Sequence, residues 1–175
     1  MKLCNIIGIG SHFGFDQVGW KAIEFLRNEF ASHPHIKLFS CHRSIFDWWD
    51  QVNQFSRVIF IDALIGDLPG DRLHRFNVSL EGEETLAPAQ NREFSSHGIA
   101  LVDAIRLAQR LQRLPTTVEI IGIVINHELS VSMDPYAELP PDSVEPFLKK
   151  ILAPLIEDCV YTGIQHDIES ENPVF

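Results

Sequence analysis

The run Val58-Ile59-Phe60-Ile61 is apolar at every position and is followed directly by Asp62. A strand without polar alternation is typical of the centre of a parallel sheet, where helices cover both faces. Residues 3–9 and 118–125 are mostly apolar and short, so we predict that they are buried strands as well. Residues 36–40 are predicted to be a further short strand.

Segments with helical periodicity separate these strands. From about Asp16, apolar residues recur at spacings of three and four, which predicts a helix directly after the first strand. Further helices are predicted to begin at Ser44, which resembles an N-cap, at His97 behind the cap Ser96, and at Ser143. The helix from Ser44 is expected to extend to about residue 55 and the helix from His97 to about residue 113.

The pattern of strands and helices predicts an α/β fold with a mostly parallel sheet and helices on both faces. Phe76, Val78 and Leu80 alternate with polar residues, so this segment is predicted to be an antiparallel edge strand. We expect a single domain over residues 1–163, followed by an acidic, mobile tail at residues 164–175.

Composition excludes several classes of function. With 14 basic and 24 acidic side chains, the 175-residue chain carries a net charge of −10. That charge repels nucleic acids and anionic membranes, and no apolar run approaches the ~18 residues that span a bilayer. Three cysteines without a close pair argue against a disulfide framework and against a thiolate zinc site. We expect a cytoplasmic, monomeric protein.

Three side chains are predicted to meet at one edge of the sheet. Ligands bind open α/β sheets at the carboxyl ends of the strands. Asp16 follows the first strand, Asp62 is predicted to end the third, and His97 begins a helix at the same edge. Two carboxylates and an imidazole suit a borderline divalent ion such as nickel or zinc, and three ligands leave coordination positions open.

Each of these residues also has a purely structural interpretation. Asp16 could stabilise a helix N-terminus, Asp62 could be a turn residue, and His97 could be an ordinary residue of a first helical turn. An acid at the end of an apolar strand is harder to explain in this way, because a desolvated carboxylate requires a partner.

Several short motifs resemble those of the hydrogenase maturation proteases. Gly8-Ile9-Gly10-Ser11 with Asp16-Gln17-Val18-Gly19 resembles the opening Gly-x-Gly-Asn and acidic-x-x-Gly of that family. Residues 58–63 resemble its strand that ends in Asp-Ala, and Ser96-His97-Gly98 resembles its Pro-His before a helix. Ile120-Ile121-Gly122-Ile123 and Glu145-Pro146 follow in the family's order.

The resemblance implies a fold, an activity and a partner. The fold would be a three-layer α/β/α sandwich around a mixed, twisted sheet of about five strands. The activity would be that of an endopeptidase that removes the C-terminal peptide of a nickel-containing hydrogenase large-subunit precursor after metal insertion. Asp16, Asp62 and His97 would bind the nickel that the precursor delivers, and zinc or cadmium could occupy the same site in vitro.

The sequence departs from the family pattern in several places, one of which is a turn before Asp16 that is one residue shorter. Ser11 stands where the family has Asn, and Phe15 replaces an acidic neighbour. The family's Asp-Gly-Gly-Thr after the second strand is replaced by Ser40-Cys41-His42-Arg43. We expect this segment to lie beside the cleft, where its change affects substrate preference more than metal binding.

Other interpretations of the site remain open. His12 and Glu93 are candidates for a general base, and Cys41-His42 allows a cysteine-protease hypothesis. Asn126-His127-Glu128 is a further possible site. Gly8 and Gly10 before a helix resemble a dinucleotide-binding loop, although the spacing is one residue too long and the ribose-binding acid is missing. A non-catalytic assembly factor that senses the nickel site is the main alternative function on the same fold.

Overall fold

A computed structural model describes residues 3–12, 14–30, 32–42, 46–50, 52, 57–65, 73–78, 101–115, 117–125, 149, 154 and 156. In chain order, the strands are β1 (Cys4–Gly8), β2 (Ile36–Ser40), β3 (Arg57–Ile65), β4 (Leu73–Val78) and β5 (Thr117–Ile125). The helices are α1 (Val18–Phe30), which follows a 3-10 turn at Gly14–Gln17, and α2 (Leu101–Arg110).

The five strands form one mixed sheet in the order β2-β1-β3-β5-β4. The strands β2, β1, β3 and β5 are parallel, whereas β4 pairs with β5 in the antiparallel direction. The predicted mostly parallel sheet and its antiparallel edge strand are therefore confirmed.

Each face of the sheet is covered by a separate apolar core. Helix α1 packs on the face that carries Ile6, Ile59 and Ile121, and helix α2 packs on the face that carries Ile7 and Phe60. These two layers of helix enclose the sheet, so the three-layer α/β/α sandwich is confirmed. Between β3 and β5, Arg57 and the buried Glu119 form an ion pair in which Arg57 Nε donates to Glu119 Oε1 at 2.9 Å.

The predicted helix from Ser44 is wrong in the part that the structure describes, because residues 46–50 form turns. The Trp49 amide donates to the Phe46 carbonyl at 3.0 Å, which closes one of these turns. Trp48 is buried against Phe60, with 5.2 Å between the ring centroids. Packing of this large aromatic side chain on the sheet outweighs the weak helical periodicity of the segment.

The chain after β5 is described at three residues only. Lys149, Pro154 and Ile156 are helical, in agreement with the predicted last helix, and Ile156 is buried in the core on the α1 face. The acidic tail at residues 164–175 lies outside the described residues, so its boundary stays a prediction. No helix in the described part of the chain is both long and apolar enough to span a bilayer.

Candidate functional site

Asp62 lies inside β3 and does not end it as predicted. The strand continues to Ile65 because Asp62, Ala63, Leu64 and Ile65 pair with residues 122–125 of β5. On the other side, the pairing with β1 stops at Gly8 and Ile61. Asp62 is therefore the first residue of β3 beyond the carboxyl end of β1, and this is the edge at which a ligand site was predicted.

The carboxylate of Asp62 is buried and held by its own backbone. The side chain has 0% exposure, and Oδ1 accepts a hydrogen bond of 2.8 Å from the Ala63 amide. The second oxygen, Oδ2, is also shielded from solvent. This short local bond fixes the direction of the carboxylate at the sheet edge.

Asp16 lies in the 3-10 turn that leads into α1. Its side chain is partly buried, with Oδ2 shielded from solvent, and its backbone carbonyl accepts from the Ser11 amide at 3.4 Å. The turn contacts β3 as well as α1. The elements that carry Asp16 and Asp62 therefore meet at the carboxyl end of β1.

Two glycines allow this close approach of helix and sheet. A Cβ atom on Gly19 would lie 1.9 Å from the Ile9 carbonyl oxygen and 2.7 Å from that of Ile61. A Cβ atom on Gly8 would lie 2.3 Å from the Gly19 carbonyl oxygen. The glycine of the acidic-x-x-Gly motif thus lets the first turn of α1 rest on the backbones of β1 and β3, three residues after Asp16.

The third predicted ligand, His97, lies outside the described residues, as do Glu93 and the segment 126–128. Within the described ranges, no group of three His, Cys, Asp or Glu side chains could hold a metal ion. The predicted trio therefore stays a prediction. The two described carboxylates, which are shielded and carried by contacting elements, have the chemistry that a divalent cation requires.

A cleft that the sequence analysis missed opens beside α1 at the same edge. It has a volume of about 480 Å³ and is lined by residues of α1, of the loop after β1 and of the end of β2: His12, Gln17, Trp20, Lys21, Glu24, Arg27, Ser40 and His42. We call it the Trp20 cleft. Ser40 and His42 belong to the segment that departs from the family pattern, so part of this segment lines the Trp20 cleft. Its position beside the predicted metal cleft stays a prediction. The missed signal was the polar stripe of α1, which follows the same helical spacing as its apolar stripe.

The cysteine-protease hypothesis does not fit the environment of Cys41. Burial, together with the smaller effect of the nearby negative charge of Asp47, raises the pKa of the Cys41 thiol from 9.0 to about 12. A thiol with this pKa is protonated at neutral pH, whereas a nucleophilic cysteine needs the thiolate.

The dinucleotide hypothesis fails on the space around the glycines. In a phosphate-binding loop, glycines leave room for the ligand to approach the backbone. Here the chain itself fills that room: a Cβ atom on Gly8 would meet the Gly19 carbonyl, and one on Gly10 would lie 2.4 Å from the Asp16 carbonyl oxygen. These glycines serve the packing of α1 and its preceding turn.

The chain was compared with protein families, curated proteins and solved structures. No protein-family model and no curated protein matches the sequence. Several solved structures match almost the whole chain.

Several of these structures are named as hydrogenase maturation proteases or peptidases. The [NiFe] hydrogenase maturation protease HybD from Thermococcus kodakarensis is 23% identical, with a TM-score of 0.61 and coverage of 89% of this chain and 99% of that one. The hydrogenase maturating endopeptidase HybD from E. coli is 17% identical, with a TM-score of 0.60 and coverage of 90% and 94%. A hydrogenase 2 maturation peptidase from Thaumarchaeota archaeon SCGC_AB-539-E09 is 21% identical, with a TM-score of 0.58 and coverage of 90% and 98%.

The three solved structures are matched over 94% to 99% of their own length. At sequence identities of 17% to 23%, such a match shows a shared fold. The resemblance inferred from the short motifs is thereby confirmed at the level of the fold. The chain has the fold of the hydrogenase maturation proteases.

Proposed function

We propose that the chain is a metal-dependent endopeptidase that removes the C-terminal peptide of a nickel-containing hydrogenase large-subunit precursor. The main support is that Asp16 and Asp62, on contacting elements, occupy the carboxyl end of β1 in a fold shared with hydrogenase maturation proteases. The proposal includes a monomeric enzyme in the cytoplasm.

In this mechanism the nickel ion is part of the substrate. A divalent ion polarises a carbonyl and lowers the pKa of a bound water, which is the chemistry that peptide hydrolysis needs. Asp62 would bind the ion with a carboxylate whose direction is set by the Ala63 amide. Because this carboxylate is buried, its attraction to a cation is less screened than at the surface.

Asp16 and His97 would complete the protein's share of the ligands. Asp16 approaches from the α1 side, where Gly19 lets the helix rest directly on the strands. Because the uncut precursor carries the nickel ion, the side chains that bind this ion would also position the scissile bond. A precursor without nickel would not be bound in this way. Zinc or cadmium could occupy the same donor set in vitro.

The test uses purified protein and a nickel-loaded precursor, with the length of the large subunit followed by mass spectrometry. We expect Asp62→Asn and His97→Ala to abolish shortening, whereas Asp103→Asn, at an exposed position on α2, should cut at the parent rate. Circular dichroism of each variant checks that the fold is retained. Normal cleavage by folded Asp62→Asn would remove the proposed role of this carboxylate.

The same assay separates the alternative functions. Binding of the precursor without shortening would identify a non-catalytic assembly factor that senses the nickel site. A response to nucleotide in the absence of precursor would identify a nucleotide-binding module instead.

A further inference from the structure

The Trp20 cleft follows one side of helix α1. Gln17 is the last residue of the turn that contains Asp16, and Trp20, Glu24 and Arg27 follow it at spacings of three and four. Such residues lie on one side of a helix, at a rise of ~1.5 Å per residue. The cleft therefore runs for roughly 15 Å from the candidate metal edge along α1.

The end of the cleft near Asp16 is an aromatic platform. The Trp20 ring contacts two imidazoles, with ring centroids 4.9 Å from His12 and 4.4 Å from His42. Its indole N–H donates to the Cys41 carbonyl at 2.7 Å, which fixes the plane of the ring. A half-buried aromatic ring held in one orientation loses little conformational entropy when a ligand packs on it.

The far end of the cleft carries a positive charge. Lys21 and Glu24 form an ion pair of 3.1 Å with each other. Arg27 is exposed and makes no ion pair among the residues that the structure describes. A guanidinium of this kind can bind a carboxylate of a ligand that lies in the cleft.

We propose that the Trp20 cleft binds the substrate peptide next to the scissile bond in an extended conformation, with a carboxylate of the peptide on Arg27. This rests on the proposed function. Trp20 and Arg27 are seven residues apart on one helix face, or roughly 10 Å. An extended peptide covers that distance in about three residues. The carboxylate therefore belongs about three positions from the peptide residue that packs on Trp20.

The test measures fluorescence polarisation of labelled model peptides on the metal-free protein. The peptides carry one Tyr and one Glu, separated by one to five positions, and the controls replace Glu by Gln or the free C-terminus by an amide. We expect the tightest binding at a separation of three. The Glu-to-Gln control and the amide show whether a side chain or the C-terminus supplies the carboxylate.

The matched protein variants isolate each end of the cleft. Arg27→Glu should weaken binding of the peptide that carries the recognised carboxylate at least tenfold and leave the matched control, the Gln peptide or the amide, unchanged. Arg110→Glu, on the exposed side of α2, should bind like the parent. Trp20→Ala should weaken both peptides, and Trp20→Phe should restore part of the loss. Equal binding of the Glu peptide, the Gln peptide and the C-terminal amide, or no effect of Arg27→Glu, would overturn the proposal.

The precursor assay distinguishes this proposal from the proposed function. If the cleft binds the substrate, Arg27→Glu raises the KM for the precursor with a smaller effect on kcat, while Asp62→Asn loses cleavage and still binds the peptides. If the parent protein binds the peptides but does not cleave the precursor, the peptide-binding role of the Trp20 cleft is supported and the proposed endopeptidase function is refuted. If folded Arg27→Glu and Trp20→Ala cleave the precursor with unchanged kcat and KM, the peptide-binding role of the Trp20 cleft is refuted and the endopeptidase function is supported.

Discussion

Replacement of Gly19 by alanine tests the contact that positions the candidate site. Gly19 lies in the first turn of α1, where its backbone approaches the carbonyl oxygens of Ile9 and Ile61. In the interior of an ordinary helix, Gly→Ala stabilises the folded protein by about 1 kcal/mol, because glycine loses more backbone conformational entropy on folding than alanine does. At this position we expect the opposite sign.

The magnitude follows from the distances. The new Cβ would lie 1.9 Å from the Ile9 oxygen, whereas real Cβ contacts are essentially never shorter than 3.0 Å, so α1 must move by about 1 Å. The obstacle is backbone, which cannot rotate away as a side chain would. Overpacking of this kind costs about 3 kcal/mol at the upper end of its usual range. After the gain in helix propensity, the variant should be about 2 kcal/mol less stable than the parent.

Urea unfolding followed by circular dichroism measures this difference, and a lower melting temperature by about 4–8 °C should accompany it. Asn28→Ala is the control, since Asn28 is exposed on the same helix and its replacement should change stability by less than about 0.5 kcal/mol. Because Asp16 precedes α1, the shifted helix should also reduce precursor cleavage below the unfolding range. If Gly19→Ala were as stable as the parent, the close approach of α1 to the strands would be refuted.

Two further predictions concern buried groups. Because burial raises the Cys41 pKa from 9.0 to about 12, iodoacetamide at pH 8 should modify this thiol only after unfolding, as judged by mass spectrometry. The folded state favours the neutral thiol, so the contribution of Cys41 to the free energy of unfolding is complete below pH 9 and is lost as the pH rises toward 12. Over that range, the free energy of unfolding of Cys41→Ala should fall less than that of the parent. Arg57→Met deprives the buried Glu119 of this partner and should lower the free energy of unfolding by about 3 kcal/mol, whereas the double variant with Glu119→Leu should recover most of it. A loss below about 1 kcal/mol in the single variant would show that the ion pair is unimportant.

The sheet could be predicted because its signals are local. Continuous apolar runs indicate strands that are covered on both faces, and residues 58–61 and 118–125 both lie in the centre of the observed sheet. Alternation at 76–80 indicated an edge strand, and β4 is the antiparallel edge. The position of Asp16 and Asp62 near one edge followed from topology, since parallel strands end on the same side.

The remaining features depend on contacts between distant segments. The end of β3 is set by β5, which continues to pair after β1 has stopped, and this pairing has no signal in the residues around Asp62. The turns at residues 46–50 depend on the packing of the Trp48 ring against Phe60 of β3. The Trp20 cleft requires the indole to meet the Cys41 carbonyl, a contact across 21 positions that no local pattern contains.

The unequal lengths of the strands determine how a large partner can reach the site. Strand β3 extends four residues beyond the end of β1, from Asp62 to Ile65, and stays paired with β5 over this length. The two strands therefore project roughly 13 Å past the end of β1. Asp62 is the first residue of this extension, and among the described residues β1, β2 and the start of α1 lie on the side of β3 opposite β5. On the proposed function, the C-terminal segment of a precursor would approach Asp62 from the β2 side, because β3 and β5 extend past Asp62 on the other side.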